Sequence, residues 1–153
     1  MDSGRPLLIP LAADGPWDDR MVGGKAARLA QLARAGFQVP KGFCLTTWAY
    51  DAFVRDARLG AAIRMELGRK SLDDMRWEEI WDAALRIRAQ FLAQPLSRSL
   101  REALGEGLRG FDASKPLAVR SSAVGEDSDG RSFAGLHESI IGVRGQAAVE
   151  DAV

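Results

Sequence analysis

The sequence is short of the residue types that usually announce a reaction centre. Its 153 residues include one cysteine, Cys44, and one histidine, His137. A single thiol excludes an internal disulfide. Cys44 lies in the apolar run Gly42-Phe43-Cys44-Leu45, where a small buried hydrophobe is favoured over a reactive thiol. No cysteine or carboxylate stands near His137 in a metal-ligand spacing, so His137 reads as a partly exposed hairpin residue. Net charge is also missing, with 21 Lys and Arg against 21 Asp and Glu. That balance excludes a broad nucleic-acid footprint and a polybasic membrane face, so any phosphate binding must come from a local site. No apolar run approaches the ~20 residues of a membrane span. The opening Met1-Asp2-Ser3-Gly4-Arg5-Pro6 carries no signal-peptide pattern, and a cytoplasmic protein is the expectation.

What is present suits one soluble domain of ordinary size, 46% apolar and 27% charged. Residues 6 to 11 read as a short strand, with Leu7, Leu8 and Ile9 at its centre. Ala26, Leu29, Ala30, Leu32 and Ala33 form a helical stripe, and Gly36 stands where a helix C′ glycine belongs. Residues 37 to 45 look extended, broken by Pro40 and Gly42 into an edge strand or an irregular segment. Thr46 or Thr47 can cap the helix that follows. Residues 59 to 110 read as mostly helical. Trp77, Ile80, Trp81, Ala84, Leu85 and Phe91 recur there at helical spacing, and core packing is their expected role. Pro116-Leu117-Ala118-Val119 reads as a buried strand. The fold class is therefore α+β, with a helical middle between strand-rich ends. Helices are expected near residues 24 to 35, 47 to 58 and 75 to 94, a strand over 116 to 120 and a hairpin around 131 to 143. The last residues, from Gln146, read as a helix beginning.

Three constellations could carry chemistry. In the first, Val22-Gly23-Gly24-Lys25 opens a helix. Unpaired N–H groups and the positive end of the dipole gather at such a terminus. Glycine lets a ligand approach the backbone, and Lys25 adds a full charge. The pattern is not a Walker A motif, which requires Gly-x-x-x-x-Gly-Lys-Ser/Thr; the competing reading is a plain turn and a solvated lysine. In the second, Arg120 ends the strand over 117 to 119, where a guanidinium fork can grip phosphate; the competing reading is a salt bridge to Glu126 or Asp127. In the third, Gly130-Arg131-Ser132-Phe133-Ala134-Gly135 is a small polar loop. It could fold backbone N–H groups over phosphates, with Phe133 as its anchor, or be an ordinary hairpin turn. The acidic residues Glu126, Asp127 and Asp129 lack calcium-loop spacing and read as a solvated turn.

Two segments resemble known signatures. Residues 22 to 32, VGGKAARLAQL, followed by residues 36 to 43, GFQVPKGF, resemble the start of the ATP-binding domain of the phosphoenolpyruvate synthase and pyruvate phosphate dikinase family. Residues 119 to 127, VRSSAVGED, followed by residues 132 to 139, SFAGLHES, resemble its second signature. Both occur in order, separated by a helical stretch. The family also includes rifampicin phosphotransferases and glucan water dikinases. The resemblance implies the N-terminal lobe of an ATP-grasp-like domain that binds MgATP. It further implies transfer of the β-phosphoryl group to a histidine on a separate swivelling domain.

By the same resemblance, Gly24, Lys25, Arg120 and the loop Ser132, Phe133, Ala134 and Gly135 would bind the nucleotide. Lys25 and Arg120 would neutralise phosphates, and the loop would cover them. The Mg2+ ligands, the second ATP-grasp lobe and the phosphohistidine domain are expected outside these residues, and residues 1–153 then form an incomplete first part of the domain. His137 lacks the Gly-Gly-x-x-Ser-His context of the family's carrier histidine and does not inherit that role. No catalytic residue is assigned within the chain, and alone it is expected not to turn over ATP. The alternative is a non-catalytic nucleotide-binding or regulatory remnant of the same fold.

Overall fold

The computed structural model describes residues 5–11, 18–122 and 139–153, apart from the side chain of Leu72. The described elements run β1 (Leu8–Pro10), α1 (Asp19–Arg34), β2 (Phe43–Leu45), α2 (Thr47–Asp56), α3 (Leu59–Leu67), α4 (Trp77–Leu92), α5 (Arg98–Leu108), β3 (Leu117–Arg120), β4 (Ser139–Val143) and α6 (Gly145–Ala152). Helices mixed with two small antiparallel sheets make the chain α+β. It forms two compact units, Met1–Tyr50 with Arg98–Val153, and Asp51–Ser97.

In the first unit, β1 and β2 pair antiparallel, with Leu8 opposite Leu45 and Pro10 opposite Phe43. Only the last three residues of the expected extended stretch join a sheet. Alanines let α1 lie close to this ribbon. Val22, Ala26 and Ala27 are buried and pack with Ile9, Leu11, Met21 and Cys44. The helix ends as its sequence foretells. Gly36 has φ +83, its N–H donates to Ala33 O, and Phe37 N–H donates to Leu32 O. Those two bonds are a Schellman motif, which satisfies the last carbonyls. Thr46 caps α2: its Oγ1 accepts from Ala49 N–H at 3.4 Å and donates to Pro6 O at 2.8 Å. Helix α5 comes so close to the ribbon that a Cβ on Gly107 would lie 2.8 Å from Leu8 Cδ1. Leu100 and Leu104 on α5 and Val149 on α6 are buried in this unit.

Strands β3 and β4 pair antiparallel, with Arg120 opposite Ser139. The register shifts between Leu117 and Ala118, opposite Gly142, whose φ of +78 suits a bulge. The apolar run at 139–143 thus finds its partner in β3. The remainder of the expected hairpin, 131–138, lies outside the described residues.

The second unit pairs α3 with α4. Phe53 and Phe91 stack with ring centroids 5.9 Å apart. Glu66, only 3% exposed, is held by Arg69 and Arg86, each at 2.9 Å. Arg86's hydrogen bond is the chief reason its carboxyl sits below the usual range; Arg69 contributes too, while burial opposes both. The core role expected for the tryptophans does not hold. Trp77 and Trp81 touch each other, with centroids 5.4 Å apart, but are 67% and 50% exposed. Ala83, Ile87 and Phe91 form the covered stripe of α4. Trp77, Trp81 and Leu85 form a second apolar stripe around the same helix, and one helix face cannot bury both. Among the described residues no helix is long and apolar enough to cross a membrane.

Candidate functional site

Asp18 starts α1, its side chain accepting from Arg20 N–H at 2.9 Å. One turn later the helix breaks. Gly23 has φ 75 and ψ 163, outside the helical region. Helical geometry resumes at Gly24, so Gly24 and Lys25 occupy the first turn of a fresh helical segment inside α1. Helical conformation begins five residues earlier than the sequence suggested, yet the opening expected at Gly24 exists as a second start.

Gly23 leaves this second start without a capping side chain, because glycine has none to offer. Ser122, just beyond β3, fills the role from a distance. Its Oγ accepts from Ala26 N–H at 3.2 Å and donates to Val22 O at 2.8 Å. The backbones meet so closely that a Cβ on Gly23 would lie 2.1 Å from Ser122 O. The close approach that the glycine pair permits is therefore taken up, at Gly23, by the chain itself. Lys25 follows the same direction, its Nζ donating to Ser121 O at 3.4 Å. Arg120 is exposed and is the last residue of β3. Ser121 Oγ is buried and has no hydrogen-bond partner among the described residues.

The structure thus brings Gly24 and Lys25 to the end of β3, against the residues that directly follow Arg120. Ser132, Phe133, Ala134 and Gly135 lie outside the described residues, as do His137 and the acidic residues Glu126, Asp127 and Asp129. Ser121 and Ser122 are not among the candidates that the sequence marks. Their signal was there in part, since both belong to the Arg-Ser-Ser segment, but their partners stand about a hundred positions away. Cys44, expected as a buried hydrophobe, is partly buried and packs against Val22, Ala26 and Ala27. Its Sγ lies against Val22 O and Leu45 O, and burial pushes the thiol from 9.0 up to about 11, so it stays protonated and unreactive near neutrality.

Residues 19–153 match the family described as pyruvate phosphate dikinase, AMP/ATP-binding domain. The chain belongs to that family. Its pyruvate phosphate dikinase-type segment is 36% identical over 139 residues to a phosphoenolpyruvate synthase of Aeropyrum pernix, covering 87% of this chain and 17% of that protein. It is 38% identical over 130 residues to a rifampicin phosphotransferase of Streptomyces sviceus, covering 84% of this chain and 15% of that protein. A phosphoenolpyruvate synthase of Escherichia coli is 33% identical over 155 residues, covering 97% of this chain and 19% of that protein. The chain therefore spans less than a fifth of the length of these curated relatives. The family match includes Gly24, Lys25, Arg120, Ser121 and Ser122, so the clamp between α1 and β3 is built from the pyruvate phosphate dikinase-type segment itself.

Proposed function

We propose that this segment grips the phosphates of ATP in a dikinase-type phosphotransferase, as the N-terminal part of an ATP-grasp-like domain. The observation that supports this most is the placement of Lys25 at the end of β3, its Nζ on the carbonyl of Ser121, the residue after Arg120. Two cations of different kinds at one strand end suit a polyphosphate. The ammonium acts as a compact point charge, and the guanidinium offers a planar fork. The first turn of a helical segment at Gly24 adds the positive end of its dipole. Ser121 Oγ, buried and without a partner among the described residues, is the kind of group that a bound oxyanion satisfies.

Bound ATP would supply the β-phosphoryl group, which passes to a histidine on another domain. The residues of this chain position and neutralise; phosphoryl transfer asks for little else from a protein. Ser132, Phe133, Ala134 and Gly135 would cover the phosphates. Among the described residues no three His, Cys, Asp or Glu side chains gather to hold a metal ion. In this reading Mg2+ comes with the nucleotide and is held by residues outside this segment. Relatives named phosphoenolpyruvate synthase and rifampicin phosphotransferase match the segment about equally well, which supports placing acceptor choice elsewhere.

Lys25→Ala and Arg120→Ala test the reading in the protein at its natural length. Each should cost about 2–4 kcal/mol of transition-state stabilisation, or about 30- to 1,000-fold in kcat/KM for ATP-dependent AMP release. Thermal stability should hardly change, since neither side chain belongs to the core. Wild-type kcat/KM in both variants would refute the assignment.

A further inference from the structure

Ser122 does a job that its neighbour in space, Gly23, cannot do for itself. A helical segment needs an oxygen acceptor for the N–H groups of its first turn, and the residue before the segment usually supplies it. Here that residue is Gly23, forced to glycine twice over, by its positive φ and by the 2.1 Å that a Cβ would leave to Ser122 O. The missing oxygen arrives instead as Ser122 Oγ, across 96 positions of sequence. The same hydroxyl donates to Val22 O, on the other side of the break. One side chain therefore holds both lips of the kink, and holds them to the strand end that carries Arg120.

We infer that Ser122 is a positioning residue for nucleotide binding, fixing Lys25 relative to Arg120; this rests on the nucleotide reading given above. Lys25 precedes Ala26, whose N–H Ser122 accepts, and Arg120 stands two residues before Ser122 on the same strand end. A cation on a long flexible stem is useful to a phosphate only if its root is fixed, because the rotamer freedom of the stem is lost on binding. Tying the root of Lys25 to the strand of Arg120 through one hydroxyl keeps the spacing of the two charges constant while nucleotide comes and goes. Without the hydroxyl, the first turn of the segment loses its acceptor, and the root of Lys25 is held to the strand of Arg120 less firmly, with the 3.4 Å bond from Lys25 Nζ to Ser121 O remaining. Ser122 itself touches no substrate in this account and acts through Lys25.

The test is ATP titration of the protein at its natural length, with a double-mutant cycle. Ser122→Ala should lower ATP affinity about five-fold, the equivalent of one lost helix cap. In a Lys25→Ala background the same substitution should lower it no further, because the residue through which Ser122 acts is gone. A general loss of stability would instead appear in both backgrounds. Ser122→Cys, close in volume but a weaker hydrogen-bonding group, provides the same comparison if the alanine variant does not fold. Unchanged affinity in Ser122→Ala, or an equal loss with and without Lys25, would overturn the inference while leaving the phosphate site standing. Lys25→Ala binding ATP as tightly as the unsubstituted protein would overturn the nucleotide reading, and this inference with it.

Discussion

Replacing Gly23 by alanine places a methyl group into contact with the end of β3. Two costs follow from the structure. The backbone at φ 75 and ψ 163 lies in a region that L side chains avoid, at about 1–3 kcal/mol. The new Cβ would also stand 2.1 Å from Ser122 O, 2.5 Å from its carbonyl carbon and 2.7 Å from its Oγ. Two of those three atoms are backbone, so a rotamer change cannot relieve the contact. The kink and the strand end must part, and the two hydrogen bonds of Ser122 are lost with them, at about 0.5–1.5 kcal/mol each. Together the substitution should cost about 2–6 kcal/mol. Against a total stability of about 5–15 kcal/mol for a domain, that is a large fraction. Gly36→Ala is the matched control. Its φ is +83 with nothing within 4 Å of a new Cβ, so only the backbone penalty of about 1–2 kcal/mol applies. Urea denaturation of the two variants and the parent, followed by circular dichroism, gives the comparison. If Gly23→Ala is no more destabilising than Gly36→Ala, the clamp between α1 and β3 does not hold as described.

Further expectations concern groups away from the clamp. Cys44 has its thiol raised from 9.0 to about 11 by burial, so the neutral form is the one that the fold favours. Its contribution should be complete below about pH 9 and fade between there and about pH 11. Cys44→Ala should remove that part of the alkaline slope in a series of thermal melts, and an identical slope would count against the burial argument. Glu66 has its carboxyl lowered, first by the hydrogen bond from Arg86. Its support of the second unit should be full above the ordinary carboxylate range and be lost as pH falls through its lowered value. Glu66→Gln should lower the melting temperature at pH 7 and flatten its fall in acid; equal melting temperatures at pH 7 would show that the pairs with Arg69 and Arg86 carry no stability.

Local pattern carried the parts of the fold that local chemistry decides. Gly36 marked the end of α1 because a left-handed C′ residue is a property of the chain within a few positions. Helices α2 and α4 and strand β3 fell close to their expected residues for the same reason. The start of α1 was hidden because a glycine pair suggests where a helix begins, whereas here it marks a kink one turn after Asp18 has already capped the helix. The tryptophans misled because helical spacing tells which residues share a stripe, not which of two stripes the neighbouring helix will cover. Gly24, Lys25 and Arg120 could be named as candidates from residue type and flanking glycine. The contact that draws the first two to the end of β3 could not, since Ser122 Oγ and Val22 O are 100 positions apart and no local signal links them.

Lysine footprinting tests the phosphate-binding claim most directly. The protein at its natural length is acetylated briefly with and without saturating MgATP, and modification is read peptide by peptide by mass spectrometry. Lys25, Lys41, Lys70 and Lys115 are the lysines of this segment. ATP should slow acetylation of Lys25 several-fold and leave Lys41, Lys70 and Lys115 as they were. Equal labelling of Lys25 with and without ATP would contradict it.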